Sequence, residues 1–198
     1  MILVNEKEVN IYVFRALDYI RDNDKLFDIF KGIMVDNELL IHSLNVAKLS
    51  TQLAIALGVD NATIFNICLG GLLHDVGKLE IPKNILYKPD RLTAEEYEIV
   101  KNHTSLGFDL LKDTGVDKDV VIIALRHHEN KQGTGYPLGI TDIEPYVEII
   151  TVADILSALV ENRTYHQAKS ITQALNYMSS FDNVNNNLLV KLAELIRD

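Results

Sequence analysis

The chain has 198 residues, room for one ordinary domain with a short extension and a sizeable core. Its 47% hydrophobic and 24% charged residues match a folded globular protein and exclude a disordered or low-complexity chain. Nineteen Lys and Arg against 28 Asp and Glu leave a net charge of −9, a field that repels polyanions and argues against DNA or RNA as partners.

Met1-Ile2-Leu3-Val4 lacks a basic leader and runs at once into Asn5, Glu6, Lys7 and Glu8, so no targeting segment is expected and the cytoplasm is the expected location. Apolar runs such as 120–125 fall far short of the ~18 residues that a membrane span needs. An amphipathic stretch at 11–20 opens the fold. Val46, Leu49, Leu53 and Leu57 then recur at helical spacing, and Gly58 is placed to end that helix.

Asp60 is placed to cap the next helix, where Ile64, Ile67, Cys68, Gly71 and Leu72 form an apolar face running into His74 and Asp75. Cys68 is the single cysteine, so an intramolecular disulfide is excluded and a buried thiol is expected. After the connector Lys88-Pro89-Asp90, Thr93 and Glu96 have capping-box spacing ahead of a helix through Val100 and, after an interruption, 106–111. Asp117 is placed to cap 120–128, and a glycine-bearing loop follows at 129–140. Thr141 and Glu144 are expected to form a second capping box before 147–160. Helices at 170–178 and 187–197 flank an asparagine-rich turn, with Leu188, Leu192 and Ile196 facing inward.

Helical spacing everywhere, with no repeat or linker, predicts an all-α chain: one compact helical domain over 1–198, with 1–35 as an N-terminal helical extension packed on it. Hydrophobic periodicity does not explain Glu38, His42, His74, Asp75, His103, His127, His128 and Asp154, which sit at helix ends or on apolar faces. An unpartnered polar side chain buried there would cost a few kcal/mol, so these residues are expected to converge. Imidazoles with carboxylates suit Fe, Mn, Zn or Ni. Glu38 and His42, four apart, share a helical face; a solvated surface acid is the plain alternative for Glu38. Lys78 follows His74 by four residues, so a helix persisting that far would set its ammonium beside the ligands to hold a phosphate oxygen. The plain alternative is a surface lysine paired with Asp75.

The order His42, His74-Asp75-Val76-Gly77-Lys78, His103, His127-His128-Glu129 with Gly135-Tyr136-Pro137, then Asp154, resembles the HD-GYP family, from Glu38 to His166. The resemblance implies an all-helical HD-domain bundle with a GYP loop, and a metal-dependent phosphodiesterase that hydrolyses a cyclic dinucleotide, cyclic di-GMP to pGpG or GMP, through a metal-bridging hydroxide. It implies His42, His74, Asp75, His103, His127, His128 and Asp154 as ligands of a bimetallic centre, Asp75 bridging, with Glu38 adding a third ion in some members. Fe or Mn is the expected metal. Asp75 and Lys78 are the expected catalytic residues; Lys78, Gly135, Tyr136, Pro137, Arg163 and His166 are the expected substrate contacts.

Three positions depart from the family pattern: Gln132 and Ser157 stand where Asp is usual, and His166 where Lys or Arg is usual. On sequence alone, the missing charges favour binding over turnover, and restoring Asp at 157 with Lys at 166 is expected to raise the rate. A metal-bound, weakly active nucleotide-binding or scaffold module, or a phosphohydrolase for another nucleotide, are the competing readings. GGDEF-type proteins and a second copy of the chain are the protein partners it admits, and no receiver or sensor domain is recognised.

Overall fold

The computed structural model describes residues 5–161 and 167–196. Among these, every regular element is helical. Helix α1 (Glu6–Arg21) starts where the Asn5 side chain accepts from Lys7 N, and α2 (Asp24–Met34) where Asn23 accepts from Leu26 N. Asp36 caps α3 (Asn37–Ala56) and Asp60 caps α4 (Asn61–Leu73), each offering its carboxylate to backbone donors that lack a partner in the first turn.

A 3₁₀ turn (Val76–Glu80) and the short α5 (Lys83–Leu86) lead to α6 (Ala94–Lys101), where the Thr93–Glu96 capping box forms as the sequence predicts. The chain breaks at Asn102, and His103 opens α7 (His103–Leu111). Asp117 caps α8 (Lys118–Arg126); α9 (Pro145–Val160), α10 (Ile171–Met178) and α11 (Asn186–Ile196) complete the order.

The expected second capping box does not form. Pro145 occupies the first turn of α9, which makes Glu144 the N-cap residue, and its carboxylate instead accepts from Arg126 Nη1 at 2.5 Å. Helix α2 was not predicted as a separate element; Leu26, Phe30 and Ile33 are its buried stripe. On α11, Leu189 and Leu192 are the buried residues, while Leu188 and Ile196 are half-buried, so the inward face is rotated from the expected one. Cys68 is buried as expected, and burial pushes its thiol up to about 11.

The core runs through α1 to α4, α8 and α9, with Leu53, Ile67, Leu72, Ile123 and Ile150 fully enclosed. Each such side chain contributes ~1.5–3 kcal/mol by leaving water. Two glycines decide how closely the elements approach. A Cβ on Gly71 would lie 2.7 Å from Ala47 Cα, so only glycine lets α4 lie this close to α3. A Cβ on Gly77 would lie 1.9 Å from His103 O, so the 3₁₀ turn and α7 touch backbone to backbone. Among the described residues no helix is long and apolar enough to cross a membrane.

Candidate metal centre

Five helical segments deliver ionisable side chains to one interior point. His42 comes from α3, His74 and Asp75 from the end of α4, His103 from the start of α7, His127 and His128 from the end of α8, and Asp154 from α9. All are buried except His128, which is half-buried at the rim. The convergence expected from the sequence is therefore present.

Asp75 lies at the centre. Its Oδ1 is 3.4 Å from His103 Nε2 and 3.7 Å from His127 Nε2, whereas Oδ2 is 3.3 Å from His74 Nε2 and 3.6 Å from His42 Nε2. Asp154 Oδ1 is 2.9 Å from His42 Nε2 and 3.9 Å from His74 Nε2. Three donor groups fall within 4.8 Å: Asp75 with His103, His127 and His128; Asp75 with His42 and His74; and Asp154 with His74 and His127. The two oxygens of Asp75 thus face two different sets of imidazoles.

The donor set fits divalent cations. His74 Nδ1 donates to Gly71 O at 2.9 Å, His103 Nδ1 to Val100 O at 2.7 Å, and His127 Nδ1 lies 3.1 Å from both Ile123 O and Ala124 O. With the proton fixed on Nδ1, each Nε2 presents a lone pair to the interior, as histidine ligands are ordinarily held. His74 Nε2 and Asp75 Oδ1 are buried with no hydrogen-bond partner. Such orphans are costly in a core, and a cation between them removes the cost.

The local field agrees. Burial would raise Asp75 and Asp154, but Lys78 and His74 for the former, and His42 for the latter, outweigh it and hold both carboxyls well below the usual range. Burial lowers His103 to about 3 and also lowers His128, so both rings are neutral and able to ligate near pH 7.

Lys78 reaches the site by another route than expected. Helix α4 stops at Leu73, and the 3₁₀ turn swings Lys78 back so that Nζ donates to Asp75 Oδ2 at 2.5 Å. Glu38 lies outside the three donor groups but lines a small cavity of about 40 Å³ with His42, Asp75, Lys78 and Tyr87, beside the cluster.

The glycine loop reaches the cluster at His128 and His103. Tyr136 stacks on His128 with centroids 4.6 Å apart and meets His103 edge-on with centroids 6.2 Å apart, and burial raises its phenol. A Cβ on Gly135 would lie 2.4 Å from His128 O, which explains glycine there as a packing requirement. Pro137 and Gln132 are exposed. Arg163 and His166 lie outside the described residues.

Two anchoring roles escape a reading of the sequence. Glu129 is 2% exposed, and its carboxylate accepts from Leu138 N at 2.6 Å, Gly139 N at 3.1 Å and Ile140 N at 3.2 Å, tying the loop to the end of α8. Glu161 accepts from His42 Nδ1 at 3.2 Å and from Asn45 Nδ2 at 2.7 Å. Burial would raise it, but bonds from His42, Ser157 and Asn45 hold it at about 2. Its place seven residues after Asp154, on the same side of α9, was the available signal. Ser157, which stands where the family pattern has Asp, lies behind His42, with Oγ 3.2 Å from Nδ1.

Residues 19–184 match the family model described as HD domain. A cyclic di-GMP phosphodiesterase of Thermotoga maritima is 37% identical over 149 residues, 73% of this chain and 40% of that protein. A 3'3'-cGAMP-specific phosphodiesterase of Vibrio cholerae is 35% identical over 139 residues, 69% of this chain and 32% of that protein. The chain therefore spans well under half the length of these relatives. Among solved structures, an HDG"Y"P protein from Bdellovibrio bacteriovorus superposes with TM-score 0.69 at 22% identity, covering 98% of this chain and 65% of that one. The PgpH HD domain of L. monocytogenes, in complex with cyclic-di-AMP, gives TM-score 0.63 at 19% identity, covering 85% and 92%. Both show the same helical fold.

Proposed function

Because the chain belongs to the HD domain family and carries the residue order of its HD-GYP branch, we propose that it is a metal-dependent phosphodiesterase acting on a cyclic dinucleotide, cyclic di-GMP first, to give pGpG or GMP. The observation that carries this is the pair of buried orphans, His74 Nε2 and Asp75 Oδ1, inside a cluster where the Nδ1 atoms of His103 and His127 already face backbone carbonyls. Relatives named as cyclic di-GMP and cGAMP phosphodiesterases support the substrate class.

His74, His103, His127, His128, His42, Asp154 and Asp75 would hold two ions, and Glu38, which lines the cavity beside them, would serve a third; iron or manganese matches the mixed imidazole and carboxylate donors. Divalent ions, when bound, supply a nucleophilic water near neutral pH and neutralise charge on the phosphoryl oxygens. Cleavage adds the water oxygen to phosphorus and breaks the bond to the 3′ oxygen, which leaves with a proton.

The protein's own groups handle position and charge. Lys78 Nζ, within reach of Asp75, is set to transfer its hydrogen bond to a non-bridging phosphate oxygen as charge builds there. Tyr136, fixed against His128 by a loop that Glu129 anchors, offers a ring face and a protonated phenol to the nucleotide beside Gly135 and Pro137. Arg163 and His166 would add phosphate contacts from the segment after α9.

We take 1–198 as one HD-type unit working in the cytoplasm, with 1–35 as a helical extension; the packing of α1 and α2 against α3 supports only the docking of that extension. GGDEF-type proteins or a second copy are its proposed protein partners. The test is product analysis with Mn²⁺- or Fe²⁺-loaded protein and cyclic di-GMP, 3'3'-cGAMP and cyclic di-AMP. Linear products from at least one are expected; no product from any, with metal bound, would refute it.

A further inference from the structure

His42 differs from the other buried histidines in what stands behind it. His74, His103 and His127 each turn Nδ1 to a backbone carbonyl three or four residues back. His42 turns Nδ1 to the Glu161 carboxylate, 3.2 Å away, while Nε2 points at Asp154 Oδ1 and Asp75 Oδ2. Glu161 is itself held. Asn45, on the same face of α3 as His42, donates to its Oε1 at 2.7 Å, and the Ser157 hydroxyl donates to that same oxygen.

We propose that Glu161 is a positioning residue for the metal centre: it fixes the His42 ring with Nδ1 protonated and Nε2 aimed at Asp154 and Asp75, where it would ligate a divalent cation together with those carboxylates. This rests on the metal-dependent reading above. A carboxylate behind an imidazole makes the ligating nitrogen more basic and locks its direction, and losing such a partner weakens metal binding ~10–100-fold.

The arrangement also changes the meaning of Ser157. From the sequence, serine there reads as a missing charge. In the fold, its short side chain leaves room for the carboxylate that Glu161 brings from the end of α9, and the hydroxyl accepts from Nδ1 while donating to Glu161. An aspartate at 157 would press a second negative group against Glu161, so S157D alone should gain nothing.

Mn²⁺ binding, read from the free-ion EPR signal, tests this in wild type, E161Q, S157D and E161Q/S157D. E161Q should weaken Mn²⁺ binding ~10–100-fold, and S157D in that background, which returns a carboxylate beside Nδ1, should recover at least about tenfold. Wild-type affinity in E161Q, or a loss that S157D does not restore, overturns the proposal. Should E161Q not fold, N45A gives the same readout: weaker Mn²⁺ binding supports the proposal and unchanged binding overturns it. Wild-type protein that binds no Mn²⁺ defeats the metal-dependent reading itself, whereas wild-type hydrolysis with unaltered Mn²⁺ affinity in E161Q defeats only the role of Glu161.

Discussion

His103 Nε2 lies 3.2 Å from His127 Nε2, while the Nδ1 of each ring faces a backbone carbonyl. With both Nδ1 positions protonated, two lone pairs oppose each other in a buried site, an arrangement that a proton or a cation between them relieves. Divalent metal should therefore stabilise the protein. At a hundredfold excess over its dissociation constant the gain is about 2.7 kcal/mol, or roughly 5–10 °C in melting temperature for a chain of this size. Calorimetry before and after chelation checks this; identical melting curves would count against it.

Lys78 separates charge stabilisation from metal holding. K78M removes the ammonium that sits on Asp75 without touching an imidazole. The expected result is a fall in kcat of about 10²–10³ with metal content retained. Loss of metal together with activity would assign Lys78 to the structure of the centre instead.

The metal-free protein should lose stability on acidification. Burial lowers His103 to about 3 and lowers His128 as well, so below about pH 6.5 the unfolded chain binds protons that the native chain refuses. Asp75 and Asp154, held below the usual range, extend that loss to lower pH. His42 acts in the opposite sense. Burial lowers it, but Asp154 and Glu161 raise it overall, so its contribution is present below about pH 6.5 and fades as pH rises through its native pKa. Two depressed histidines outweigh one raised one, and melting at about pH 5 should fall below that at about pH 7. The reverse order would contradict this balance.

Glu129 is the loop's tether. E129A leaves three backbone donors, Leu138 N, Gly139 N and Ile140 N, without their acceptor. A loss of about 1–3 kcal/mol is expected, with a raised KM as Tyr136 loses its place on His128. Urea unfolding and steady-state kinetics check the two effects.

Gly77 fixes the approach of the 3₁₀ turn to α7. G77A forces a methyl group to 1.9 Å from His103 O, which neither backbone can absorb without separating Asp75 from His103. Destabilisation of about 1–3 kcal/mol or more is expected, with loss of bound metal even in the folded fraction. Full metal content in G77A would contradict the stated packing.

His42, His74, Asp75, His103, His127, His128 and Asp154 were legible in the sequence because ligand-type residues on apolar helix faces have no other reason to be there. Most helices were legible for the same periodic reason. The path of Lys78 was not, since periodicity cannot tell a continuing helix from the 3₁₀ turn that follows Asp75. Thr141 and Glu144 had capping-box spacing, but Pro145 shifted the helix start and Arg126 claimed the carboxylate. Glu161 was missed because an acid at the end of an apolar helix looks solvated until α3 is packed against it.

Counting metal per chain on anaerobically purified protein, alongside D75N, tests the central claim most directly. Two or more equivalents of iron or manganese in the wild type, and fewer than one in D75N, are predicted from the two-faced contacts of Asp75. A wild-type chain that carries no transition metal, even after reconstitution, would contradict the account.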